Sequence, residues 1–174
     1  MFSKLKWQVV IVTVTLALGV LLGGFNLYQN RILPQKIATD IRSLNGVQSA
    51  DVIIGNSGYT ANVKLKKVDN LMTAYKNIEK IVEKYPVKID IRIVDNPNEK
   101  LDNLFYQDQF AIYQAIQNGD YIEMSNIIDK NSIEKGAKTN VYIDENNIYL
   151  SIYDGQNYLY KIIPRNTKGD VTDG

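Results

Sequence analysis

The sequence predicts an α+β protein in three parts: a transmembrane helix over residues 7–30, an αββαβ module over 35–95 and an ααβββ module over 99–165. Three observations lead to this prediction. A stretch of 24 residues near the N-terminus carries no charge. Four later segments repeat apolar residues at helical spacing, and six short β-rich runs are bounded by turn residues. We expect antiparallel sheets in both modules.

The uncharged stretch is long enough to cross a bilayer. As a helix, residues 7–30 would rise about 36 Å, which exceeds a hydrocarbon core of roughly 30 Å. Trp7 and Tyr28 stand near its ends, where amphipathic rings favour the membrane interface. The alternative is a cleaved signal peptide, but the stretch exceeds a typical signal core of about 7–15 residues, and leucines stand two residues before Gly23 and Gly24. We therefore expect an uncleaved signal anchor.

The charges that flank the anchor bear on its orientation. Two lysines and the terminal amine lie in the head, residues 1–6, while Arg31, Lys36 and Arg42 follow the anchor. The positive-inside count is thus nearly balanced. Because a short head with lysines is the usual form of an N-terminal signal anchor, we expect a cytoplasmic head and an extracytoplasmic soluble part on the cell membrane.

Small residues follow one face of the predicted anchor. Thr15, Gly19 and Gly23 recur four residues apart, a spacing that lets two transmembrane helices approach closely. They are candidate residues for self-association in the membrane. The alternative is that glycine is simply common in spanning helices.

Composition excludes several classes of function. Beyond residue 30 the two head lysines drop out of the 20 basic residues, which leaves 18 against 19 acidic ones. No field of one charge sign is available to attract nucleic acid, so we expect no nucleic-acid partner. The chain has no histidine and no cysteine, which removes the common nucleophilic triads and transition-metal ligands. We predict no catalytic residues, no cofactor and no bound metal.

The first module, residues 35–95, has the order helix, strand, strand, helix, strand. Pro34 opens the first helix and Asn45-Gly46 ends it. Asp69 is the expected N-cap of the second helix, and Pro86 precedes the third strand. The two helices are expected to cover the apolar face of the sheet, which leaves the charged face in water.

This order, with the Gly-Val…Ala-x-Val pattern inside residues 44–52, resembles the ring-building domains of bacterial secretion and sporulation complexes. Those domains are small αββαβ units, often tethered to a membrane helix, that pack side by side into rings. The resemblance covers about sixty residues and assigns no functional residue, because fold alone does not carry function.

In the second module, residues 99–165, two helices precede three strands. The first helix spans Glu99 to Asn118, and Asp120 with Glu123 forms a capping box for the next. Asp108 falls near the inner face of the first helix, where a buried carboxylate would need a partner or a raised pKa. It is the candidate buried carboxylate, with a purely structural role as the alternative.

Tyrosines on the three predicted strands suggest a binding surface. Two of them share the sheet face opposite Ile148, Leu150 and Ile152, and three others can join them. Such a patch is typical of partner surfaces, although tyrosine also suits half-exposed sheets. The candidate partner surface comprises Tyr142, Tyr149, Tyr153, Tyr158 and Tyr160. The tail, residues 166–174, is predicted to be disordered.

The sequence therefore predicts a non-enzymatic bacterial envelope protein with a single membrane pass, which acts as an assembly or interaction module. We expect the lipid bilayer and a protein partner or further copies of the chain as its partners. The alternative is a membrane-tethered sensory or ligand-binding domain that regulates a neighbouring membrane protein.

Overall fold

The computed structural model describes residues 7–55 and 58–165. The predicted head, part of the first hairpin turn and the predicted disordered tail lie outside the described residues. The described chain is an α+β protein with an apolar N-terminal helix and two three-stranded sheets. Its elements are α1 Trp7–Leu27, a π-helical segment Tyr28–Ile32, α2 Leu33–Arg42, β1 Val47–Gly55, β2 Gly58–Leu65, α3 Leu71–Val82, β3 Ile89–Val94, α4 Glu99–Asn118, α5 Tyr121–Glu134, β4 Lys138–Ile143, β5 Asn147–Asp154 and β6 Asn157–Pro164.

α1, the π-helical segment and α2 form one uninterrupted helix, whereas the sequence predicted two helices separated near Pro34. The Leu33 N–H donates to the carbonyl of Tyr28, so the helix widens by one residue just before the proline. Proline lacks an N–H and its ring crowds the carbonyl one turn earlier, which a preceding π turn relieves. The predicted break is wrong because the widened turn carries Pro34 inside the helix.

This helix is the candidate membrane span. By length and composition, the described residues contain one helix suited to crossing a bilayer, Val9–Arg42. None of its most apolar window is buried against the rest of the protein, unlike the core helix of a soluble domain. α1 therefore has its apolar surface free for lipid.

The sheet of the first module has the order β1-β2-β3. β1 and β2 pair antiparallel, but β2 and β3 pair parallel, so the expectation of a wholly antiparallel sheet is wrong. A parallel pair needs a crossover connection, and α3 provides it. α2 and α3 both contribute to the core on one side of this sheet, together with Val52, Ala61 and Val63 from the strands.

Gly58 is required where β2 begins. Its φ is +143°, and an added Cβ would lie 2.7 Å from the carbonyl oxygen of Lys88. Tyr59 N–H donates to that same oxygen at 2.9 Å. The close approach of the two backbones starts the parallel pairing of β2 with β3.

Two predicted helix caps differ in detail. Asn70, not Asp69, is the N-cap of α3, and its side chain accepts a hydrogen bond from the N–H of Thr73. Asp120 precedes α5 as expected but makes no side-chain capping bond, so the capping box with Glu123 is wrong. The backbone at Asp120 has φ −82° and ψ 50°, outside the extended region that N-cap residues typically adopt.

The second module is an antiparallel meander, β4-β5-β6, covered on one face by α4 and α5. The extent of α4 is as predicted, and the three strands follow the two helices in the predicted order. Apolar residues of both helices and of the inner sheet face form one core. Its fully buried members include Leu101, Leu104, Ile112, Met124, Ile128, Ile148, Leu150, Ile152 and Leu159.

Candidate interaction surfaces

The tyrosine face of the β4–β6 sheet packs against the first module. Tyr149, Tyr158 and Tyr160 are buried in the same apolar cluster as the first-module core, and Tyr142 and Tyr153 pack on it. The first module of the same chain therefore covers this face. The five tyrosines therefore do not form an open partner surface, because three of the rings are buried and the other two are half-buried against the first module.

The tyrosine hydroxyls fix the register between the two modules. Four of them bond to the backbone of residues 65–69, the connection between β2 and α3. Tyr160 donates to the Lys66 carbonyl at 3.2 Å and accepts from the Val68 N–H at 3.2 Å. Burial raises the pKa of Tyr160, helped by the hydrogen bond to Tyr153. A buried hydroxyl with two backbone partners is a directional contact rather than a general apolar one.

An ion pair closes one side of this contact. Lys76 on α3 lies 2.8 Å from Asp144, which also accepts from the hydroxyl of Tyr149 at 2.9 Å. Burial alone would raise the pKa of Asp144. The hydrogen bonds from Lys76, the backbone N–H groups of Asn147 and Asn146, and Tyr149 outweigh it and hold the pKa well below its usual range. Asp144 therefore links the two modules through charge-assisted hydrogen bonds.

An antiparallel backbone bridge also joins the two modules. Asn96 and Tyr158 form an antiparallel bridge, with both N–H···O distances at 3.1 Å. Asp95 accepts from the N–H of Tyr160 at 3.2 Å and lies 3.9 Å from the Lys161 ammonium. The segment after β3 thus extends pairing from the first module onto β6.

Asp108 is fully buried between α4 and α5, as its position near the inner face predicted. Its Oδ1 accepts from the Asn131 side chain at 2.8 Å, while Oδ2 has no hydrogen-bond partner. Burial raises the pKa of Asp108 to about 6, against the opposing effect of the Asn131 hydrogen bond. The carboxyl group is shut off from solvent, so no substrate reaches it while α4 and α5 stay packed.

The small residues of α1 lie on an open surface. An added Cβ at Gly19 or Gly23 would meet no other atom within 4 Å. The Thr15 hydroxyl donates to the carbonyl of Ile11, so it is already satisfied within its own helix. Close approach of a second helix is sterically open here, and self-association through this face stays a prediction.

A surface that the sequence analysis missed lies on the outer side of α4. Tyr106, Phe110 and Tyr113 are exposed to 66%, 74% and 55%. We call these three residues the α4 aromatic stripe. Their i, i+4, i+7 spacing is the sequence signal that predicts a shared face on the outer side of the helix.

Metal-binding clusters are absent from the part of the chain that the structure describes. Residues 7–55 and 58–165 hold no group of three or more carboxylates placed to bind a metal. The chain matches no protein-family model, no curated protein and no solved structure. The resemblance to ring-building domains therefore stays a prediction.

Proposed function

We propose that this chain is a single-pass, non-enzymatic protein of the bacterial envelope that acts as a membrane-anchored assembly module. The observation that carries this proposal is the uninterrupted helix from the apolar span into the first-module core. Leu33, which is buried, lies only six residue steps beyond the end of α1 at Leu27. At 1.5 Å per residue, the core begins about 9 Å beyond the apolar helix.

This continuous helix supports a rigid attachment of the first module at the bilayer surface. We call this attachment, residues 28–42, the rigid mount. α2 buries Leu33, Ile37 and Ile41 in the first-module core. Tyr59 on β2 also donates to the Gln29 carbonyl at 3.0 Å, within the π-helical segment. A module that assembles with other anchored proteins needs its surfaces held at a fixed height and angle, whereas a flexible linker would leave them free.

In this proposal the N-terminus lies in the cytoplasm and both modules lie outside it. A reporter enzyme fused after Gly174, active only on one side of the membrane, tests that orientation. Activity outside the cytoplasm supports it, and activity confined to the cytoplasm contradicts it.

A helix-breaking insertion tests the function. Gly-Gly-Ser placed after Asn30 keeps the apolar span but interrupts the helix before α2. The same insertion after Arg165 is the matched control, because it lengthens the chain without touching the mount. We expect chemical crosslinking in native membranes to yield defined complexes for the unmodified chain and the control, and markedly fewer for the Asn30 insertion.

Equal complexes from both insertions would show that the rigid mount does not matter. A monomer that forms no complex and melts higher with a small ligand would favour the sensory alternative. Mature protein that begins beyond Phe25, or that washes from membranes with carbonate, would remove the anchor itself.

A further inference from the structure

The α4 aromatic stripe is a continuous feature. The rings of Tyr106 and Phe110 meet edge to face, with centroids 6.4 Å apart and planes at 85°. Tyr113 follows three residues later on the same side of the helix. Among the described residues from 33 onward, these are the aromatic side chains that count as exposed. The other tyrosines and Phe105 are buried or half-buried.

The middle of this helix surface, around Phe110 and Tyr113, carries no charge, whereas Asp102 and a groove lined by Lys100 and Lys135 lie at its Tyr106 end. Between Asn103 and Asn118 the only charged residue is Asp108, which is fully buried. The exposed neighbours of the rings are amides: Gln107, Gln114 and Gln117. Solvent-facing helices usually carry charged residues, whereas the centres of protein interfaces lack them and are rich in tyrosine and phenylalanine.

We infer that the α4 aromatic stripe packs against the same stripe of a second copy of this chain, an inference that rests on the proposed assembly function. The uncharged middle of the face meets its own copy without repulsion, and tyrosine hydroxyls and glutamine amides both donate and accept hydrogen bonds. Charges of both signs at the Tyr106 end suit the polar rim that surrounds an interface centre. The bilayer is a poorer occupant, because helices that lie in the membrane interface carry lysine or arginine beside their apolar face.

The size of the stripe fits two anchored chains. With aromatic side chains of about 150–250 Å² each, the exposed parts of the three rings amount to roughly 400 Å² per chain. A stable interface between free proteins buries about 800 Å² per partner. The stripe alone is thus too small for a tight dimer in dilute solution. Anchoring both copies in one membrane raises their effective concentration and compensates for the small contact.

The absence of cysteine makes a direct test possible, because one introduced thiol is unique in the chain. Gln107→Cys and Gln114→Cys place it beside the stripe while keeping the rings. Asn77→Cys is the matched control, since Asn77 is also an exposed amide on a helix, α3. In native membranes, a short bismaleimide should link the two α4 variants into a species of twice the 19.8 kDa chain mass. The control should not form this species.

Phe110→Asp added to each α4 variant should lower that yield by about tenfold, since it places a carboxylate in an uncharged contact. Phe110 is 74% exposed, so the variant should keep its melting temperature, which separates lost contact from lost fold. A yield that survives Phe110→Asp would overturn the inference.

The remaining outcomes separate the two proposals. Linkage of α4 to a protein of another mass overturns the second-copy inference but leaves the assembly function standing. The same holds if Asn77→Cys links and neither α4 variant does. If no position links to anything, both proposals fail.

Discussion

Two aromatic faces of this protein have opposite environments. The tyrosine face of β4–β6 is covered by the first module, whereas the α4 aromatic stripe, on the opposite side of the same module's core, faces solvent. Both were built from the same kinds of residue at regular spacing. What differs is whether another part of the chain supplies partners, here the backbone of residues 65–69.

The comparison shows that aromatic patterning identifies a contact face but not the molecule that covers it. A strand face of tyrosines meets a segment of its own chain when a neighbouring module offers free backbone donors and acceptors. The rings on α4 have no such neighbour among the described residues, since they are exposed to between 55% and 74%. In the inference drawn above, they contact a second copy of the chain.

The largest expected effect comes from truncating one ring in each face. Tyr149 is fully buried, and its ring centroid lies 5.9 Å from that of Tyr75. Its hydroxyl donates a hydrogen bond to Asp144. Tyr149→Ala should lower the free energy of unfolding by about 3–5 kcal/mol through a cavity and a lost hydrogen bond. Phe110→Ala should change it by less than about 0.5 kcal/mol. Urea denaturation of the detergent-solubilised chain measures both, and equal losses would erase the distinction between the faces.

A smaller loss in the free energy of unfolding is expected at Asp144, beside the tyrosine face. Asp144→Ala removes the ion pair with Lys76, the bond from Tyr149 and two backbone bonds in the turn. We expect a loss of about 2–3 kcal/mol at neutral pH.

The direction in which the free energy of unfolding changes with pH follows from the low pKa of Asp144 in the folded state. Its stabilisation is complete above the unfolded value of about 3.9 and is lost as pH falls below it. Unfolding at several pH values should show a steeper loss below about pH 4 in the unmodified chain than in Asp144→Ala. Parallel curves would show that the ion pair contributes little.

The smallest of these effects lies beneath the α4 aromatic stripe. The pKa of Asp108 is raised to about 6, so the folded state holds this proton more tightly than the unfolded chain does. Its stabilisation is therefore present below about pH 4 and is lost as pH rises through about 6. Asp108→Asn should gain about 2 kcal/mol at pH 8 and little at pH 4.

Asp129→Asn, on the exposed side of α5, is the control and should leave both values unchanged. A destabilised Asp108→Asn at pH 8 would mean that the ionised carboxylate has a partner in solution, such as an ordered water, that holds it in the core.

Much of the fold could be predicted from the sequence because its signals are local. Hydrophobic spacing, Gly119 and the turns at Asp144 and Asp154 set α4 and the second sheet within a residue or two. The parallel pairing of β3 was predicted wrongly although its signal is present, because the predicted order strand, helix, strand is typical of a parallel pair joined by a crossover helix. The passage of the helix through Pro34 depends on a π turn, which leaves no clear sequence signal.

The candidate surfaces show the same limit. The burial of Asp108 follows from its place on the helix, since it falls between inward-facing residues. The burial of the tyrosine face does not follow from the local sequence, because it depends on where residues 65–69 lie after both modules have folded. The exposure of Phe110 could have been predicted from its place opposite the inward-facing residues of α4, but the molecule that covers it could not.

The rate of thiol labelling in native membranes tests most directly the claim that the α4 aromatic stripe, which is exposed in the single chain, is covered by another copy. Gln114→Cys and Asn77→Cys are both exposed in the single chain. We predict that Gln114→Cys labels more slowly than Asn77→Cys in membranes and that the two rates converge when the chains are diluted in detergent. Equal rates in membranes would contradict the account.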